Sequence, residues 1–203
     1  TLHDKTQRVA ALADTITNDG HTAHRAATLA KCDLLTNMVN EFPELQGIMG
    51  RYYALHDGES DEVASAIEEH YLPRHAGDVL PITAAGQAVA IADKLDTLVG
   101  IFAIGLAPSG DKDPYALRRA ALGALRIMIE CKLDLDLQQL IITAIANLPG
   151  TLKKDSTIQD VFNFMMERLR GYYHEKDIRP DVFDAVLANR PTHPSDFNQR
   201  IHA

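Results

Sequence analysis

The stretch AAGQAVAIADKLDTLVGIF, residues 84–102, carries Ala88, Ile91, Ala92, Leu95, Leu98, Val99 and Phe102 as an apolar set. Steps of three and four residues put that set on one face of an α-helix. A helix this apolar must be packed on several sides, so it calls for a shell of further elements. Helical periodicity recurs along the rest of the chain, and the period-two alternation of strands hardly appears. The fold class is therefore all-α.

The pattern predicts a helix over 4–18, with Val9, Leu12, Ala13 and Ile16 on its inner face and Asn18-Asp19-Gly20 as its stop. A second is expected over 22–40, striped by Ala27, Ala30, Leu34 and Met38 and ended at Phe42-Pro43. A third, over 61–71, has acids in its first turn and Pro73 beyond its end, and a loop follows over 72–83. Asp113 as N-cap and Pro114 as first helical residue predict a start before YALRRAALGALRIMIE. Ser156 and Gln159 form a capping box before VFNFMMERLRGYY, and a short helix is expected over 180–188. The tail RPTHPSDFNQR reads as a linker. The organisation expected is a helical core over 1–133 with C-terminal helices over 134–203 packed on it.

At 203 residues the chain can bury a core without staples. A formal charge of −8 excludes nucleic-acid binding through bulk positive charge, so any such contact must be local. Cys32 and Cys131 give no disulfide framework and are expected as reduced, buried thiols, which suits a cytoplasmic location. No apolar run reaches the roughly 18 residues of a membrane span. The chain opens at Thr1 and stops after NQRIHA, which reads as a piece of a longer polypeptide.

The charges on the inner faces carry the chemistry. Asp33 falls at the edge of the Ala30–Leu34 stripe, and Asp93 and Asp96 sit three apart on the inner side of the 84–102 helix. Burying ionised carboxylates is costly unless a metal, a cation or several donors meets them. Cys32-Asp33 resembles the His-Asp pair with which the HD superfamily of phosphohydrolases holds a divalent metal, with His3 upstream and Asp93 downstream in the order of that family's ligands. The first histidine is replaced by Cys32, a softer ligand that suits zinc better than magnesium or manganese. The competing reading is a structural cluster paired with arginine or lysine, with Arg118 and Arg119 as candidate partners. His21, His24, His56, His70 and His75 lack a second ligand at the spacing of a helical metal site and read as surface or capping residues.

The succession KCDLLTNMVNEFPELQGIMGRYYALHDGE, EEHYLPRHAGDVLP, ADKLDTLVGIFAIG and GDKDPYALRRAALGALRI is similar to the β subunit of bacterial heterotetrameric glycyl-tRNA synthetase, over most of the chain. The resemblance implies an HD-like helical domain of a ligase subunit. ATP, magnesium and glycine would be handled by the partner α subunit, and this piece would bind no cofactor. Its partners would be that α subunit, tRNA(Gly) and the remainder of the β chain, with no membrane. The resemblance also implies loss of the catalytic histidine, in keeping with Cys32, and so a degenerate cluster of Cys32, Asp33, Asp93 and Asp96 with no metal and no catalytic residue. Candidate tRNA contacts are Arg51 and Tyr52, a cation beside a ring, and Lys112 in the GDKDP loop at a helix start. Lys153-Lys154-Asp155 reads as a solvated helix entrance. No glycine-rich phosphate loop or adenylation motif appears, so this piece alone is expected to be inactive. An active phosphohydrolase and a purely structural docking module are the alternatives.

Overall fold

The computed structural model describes residues 1–17, 20–108, 112–152 and 156–203. The expected stop at Asn18-Asp19, part of the GDKDP loop (Gly110 and Asp111), and Lys153-Lys154-Asp155 lie outside the described residues. The described residues are helical with no strand, so the fold is all-α. They divide into two compact units, Thr1–Asp96 and Thr97–Ala203.

The first unit holds α1 (Leu2–Ala13), α2 (Gly20–Leu29), α3 (Asn37–Glu41), α4 (Ile48–His56), α5 (Asp61–Glu69) and most of α6 (Ala84–Ala103). α1 packs on α2, α2 on α5, and α4 on α5. Leu12, Ala23, Ala27, Ile67, Ile91 and Leu95 are fully buried in it. α1 begins earlier than periodicity suggests, because Thr1 and Asp4 close a reciprocal capping box. α5 starts at the acids, capped by the Ser60 hydroxyl, and α6 spans the predicted stretch.

The helix expected over 22–40 is broken into three. α2 ends at Leu29, a single 3₁₀ turn covers Cys32–Leu35, and α3 starts afresh after Thr36. Thr36 is extended, its hydroxyl accepting from the Val39 amide and donating to the Asp33 carbonyl. Cys32-Asp33 therefore sits on a 3₁₀ turn rather than an α-helix.

The second unit holds α7 (Leu117–Glu130), α8 (Leu137–Ala146), α9 (Thr157–His174), α10 (Pro180–Ala188) and α11 (Pro194–Ile201). α7 packs on both α9 and α11, which joins it to the C-terminal helices instead of dividing it from them after residue 133. Asp113 caps α7 as its type predicts, accepting from the Leu117 and Arg118 amides at 2.8 and 2.9 Å. The helix itself starts three residues later than Pro114, past Ala116 in the left-handed region. Ser156 stands at the start of α9 without a side-chain cap bond, and Gln159 donates instead to Asn163 one turn on. The tail is not a linker throughout. α11 buries Phe197 and Ile201, and Phe197 packs against Phe183 and Tyr173 at ring separations of 5.1 and 5.9 Å.

Candidate functional site

Asp33 is 2% exposed, buried as expected although it sits on a 3₁₀ turn rather than on the helix from which that burial is inferred, and its partner is backbone. Its Oδ2 accepts the Gly47 N–H at 2.7 Å, where Gly47 is the N-cap of α4 at φ +85°. A carboxylate there meets both an unpaired amide and the positive end of the helix dipole. Two glycines make the approach possible. A Cβ at Gly47 would lie 2.6 Å from the Tyr71 ring; one at Gly50 would lie 2.8 Å from Ile67 Cγ2 and 3.2 Å from Asp33 Oδ2. Neighbouring Cys32 is exposed and Cys131 partly so, since the 3₁₀ turn rotates the thiol of Cys32 away from the interior.

Asp93 and Asp96 are met by cations from α1 and from the start of the 3₁₀ turn. Arg8 grips Asp96 as a fork, Nε to Oδ1 at 2.7 Å and Nη2 to Oδ2 at 3.0 Å. Lys5, one turn earlier on α1, lies 3.1 Å from Asp93 Oδ1 and 3.2 Å from Asp96 Oδ2. Lys31 reaches Asp93 Oδ2 at 3.4 Å. Its ammonium also stands 2.7 Å from His70 Nε2 and 4.1 Å from the centre of the Tyr71 ring. An imidazole, a carboxylate and an aromatic face thus enclose one fixed positive charge. Lys5, Arg8 and Lys31 neutralise Asp93 and Asp96; Arg118 and Arg119, for which the same role was expected, lie on α7, Arg118 half-buried and Arg119 exposed.

Burial and charge set the protonation states. His70 is fully buried, and burial followed by the nearby Lys31 charge holds its pKa well below 6.5, so it is neutral. Its Nδ1–H donates to the Ile67 carbonyl, which leaves Nε2 free to accept from Lys31. Burial lowers Lys31 too, with Asp93 acting against that shift. Burial brings Lys94 down to about 8; it donates to the carbonyls of His70 and Leu72 at 3.3 and 2.7 Å. For Asp93 burial pushes upward, yet Lys5, Lys31 and the other surrounding cations outweigh it and hold the carboxyl well below the usual range.

A metal fits this arrangement poorly. A hydrolytic divalent ion needs several fixed donors and an open position for water. Among the described residues no group of three or more His, Cys, Asp or Glu lies close enough to hold one. Asp33 gives one oxygen, Oδ2, to the Gly47 amide, His70 is committed to the Lys31 ammonium, and His3 is an exposed residue of α1. His70, expected as a surface or capping residue, is the C-cap of α5 but is fully buried.

Of the candidate RNA contacts, Arg51 is exposed on α4 and pairs with Glu68 at 3.2 Å. Tyr52 is 61% exposed, and Lys112 is exposed ahead of α7. Lys5, Arg8, Lys31, His70 and Lys94 were missed as members of the cluster. Lys5 and Arg8 did carry a signal: one turn apart, they share a face of α1 close to the Val9–Leu12 stripe.

The family model for the glycyl-tRNA synthetase beta subunit matches residues 1–188. The chain is 55% identical to a glycine–tRNA ligase beta subunit of Ectopseudomonas mendocina, 54% to one of Photorhabdus laumondii and 53% to one of Cronobacter sakazakii. Each match covers 100% of this chain and 30% of the relative, so the chain spans about a third of the length of those proteins. An all-α chain whose family model covers nearly all of it, and whose relatives share more than half its residues, belongs to the glycyl-tRNA synthetase β-subunit family.

Proposed function

We propose that this chain is a non-catalytic, tRNA-facing part of a glycine–tRNA ligase, acting in the cytoplasm beside an α subunit that holds ATP, magnesium and glycine, and that its acidic cluster is an HD-type metal site in degenerate form. The observation that carries the non-catalytic part is Lys31. Its ammonium lies among His70, Asp93 and Tyr71, where a metal-dependent hydrolase would need a divalent ion with an open face. A tethered ammonium balances charge but can neither activate water nor polarise a phosphate. The relatives carry the name glycine–tRNA ligase, which supports ligase chemistry for the whole protein.

Arg51, Tyr52 and Lys112 support the tRNA-facing part, because they offer exposed cations and a ring on an otherwise acidic chain. The test is charge reversal, Arg51→Glu with Lys112→Glu, and Tyr52→Ala in the intact α/β enzyme. Glycyl-adenylate formation should be unchanged while the KM for tRNA rises about tenfold, and the salt dependence of tRNA binding should fall by about one unit per lost phosphate contact. Unchanged tRNA affinity in both the charge-reversed and the Tyr52→Ala variants would refute the reading.

A further inference from the structure

A second feature of the first unit lies on the other side of Asp33 and does not depend on the tRNA reading. Asp33 Oδ2 is satisfied by Gly47, but Oδ1 is buried with no hydrogen-bond partner among the described residues. Asp33 also lines a cavity of about 380 Å³, together with Arg25, Gly50, Tyr53, Asp57 and Glu59. A buried carboxylate oxygen without a donor is destabilising, so this one calls for a donor from the cavity. We propose that the cavity is a binding site for the primary ammonium group of a small aliphatic amine.

The charge balance selects a cation. Asp33, Asp57 and Glu59 bring three carboxylates to the wall, and Arg25 brings one guanidinium, which Glu59 already engages through both oxygens. The excess is negative. A divalent metal would need at least three donors converging on one point, and no such group exists among the described residues. An ammonium is less demanding, because it has three donors and accepts mixed partners at ordinary hydrogen-bond distance. Tyr53 adds an aromatic wall of the kind that favours organic cations over sodium. The volume is several times that of a water molecule, enough for an amine with a short carbon chain. A zwitterionic amino acid is disfavoured, since its carboxylate would enter a site that already carries excess negative charge.

The experiment is calorimetric titration of the intact protein containing this chain with ethylamine, putrescine, glycine and magnesium chloride. Putrescine and ethylamine should bind with Kd of about 1 mM or tighter, glycine at least about tenfold more weakly. Asp33→Asn keeps an acceptor for the Gly47 amide but turns an NH₂ donor toward the cavity, so it should weaken amine binding at least about tenfold while lowering the melting temperature less than half as far as Asp33→Ala does. Glu59→Gln, which leaves Asp33 intact, should weaken it severalfold. Absence of amine binding, or equal binding in both variants, would overturn the proposal and leave the cavity to water. Magnesium displacing putrescine one for one would overturn it in favour of a divalent site.

Discussion

The charge cluster around Asp93 makes an asymmetric prediction: removing its anion should cost far more than removing the Lys31 cation. Asp93 faces Lys5 at 3.1 Å and Lys31 at 3.4 Å, with Lys94 the next residue on α6. Asp93→Asn leaves Lys5 with Asp96 but takes from Lys31 its carboxylate partner in a poorly solvated setting, and stranding a buried charge costs about 3–5 kcal/mol. Lys31→Met leaves Asp93 paired with Lys5 and relieves the desolvation that lowers Lys31. The methionine stem still packs on Tyr71, so the expected cost is about 1–2 kcal/mol. In the double variant the remaining repulsion is smaller, and the sum should fall short of additivity by about 1–3 kcal/mol. Urea denaturation followed by far-UV circular dichroism at neutral pH measures all four corners of the cycle. Lys31→Met costing as much as Asp93→Asn, or a cycle that closes within about 0.5 kcal/mol, would refute this account of the cluster.

Asp33→Ala should cost about 1–3 kcal/mol in the same assay by leaving the Gly47 amide buried and unpaired, while Asp33→Asn, which keeps an acceptor, should cost less than half as much. His70 has its folded pKa depressed, so the unfolded chain takes up the proton first: its contribution is complete above pH 6.5 and is lost as pH falls below it, at up to about 1.4 kcal/mol per pH unit. His70→Gln should flatten the stability profile below pH 6.5 relative to the parent, and an unchanged slope would show that His70 is not buried neutral. The chain by itself should catalyse no ATP–pyrophosphate exchange with glycine, and detectable exchange would place adenylation chemistry within these residues.

What could be read from the sequence depended on whether a side chain's environment is set by its own helix. Asp96 was legible because α6 is long and regular, and the wheel that buries Leu95 and Val99 turns Asp96 with them. Asp33 was legible in its burial but not in its partner, because the Gly47 amide comes from another helix start and requires the break at residues 30–36. The same break places Lys31. On an uninterrupted helix it would sit beside Ala30 as an ordinary surface lysine. His70 closes α5, where its type suggests a solvent-facing cap, and Lys31, Tyr71 and Lys94, brought up from outside α5, enclose it. α11 was hidden by composition: Pro-Thr-His-Pro-Ser reads as a loop, yet Pro194 is a favourable first helical residue and Phe197 and Ile201 stand four apart.

A lysine in a cage of this kind differs from a bound ion in ways that bear on what the scaffold can become. A divalent ion brings two charges, is exchangeable, and keeps a face for water. Lys31 brings one charge, cannot leave, and fills its own coordination space with Nζ–H donors directed at His70 and Asp93. One charge does not balance Asp93 and Asp96 together, which is why Lys5 and the forked Arg8 are drawn in from α1. The resulting network ties α1, the 3₁₀ turn, the end of α5 and α6 through charge-assisted bonds, each with a partner fixed in the chain. Such a network favours rigidity over turnover. On the reading proposed above, the use of that rigidity is to hold the exposed face of α4, with Arg51 and Tyr52, at a fixed geometry for a partner whose phosphates and bases must be met without rearrangement.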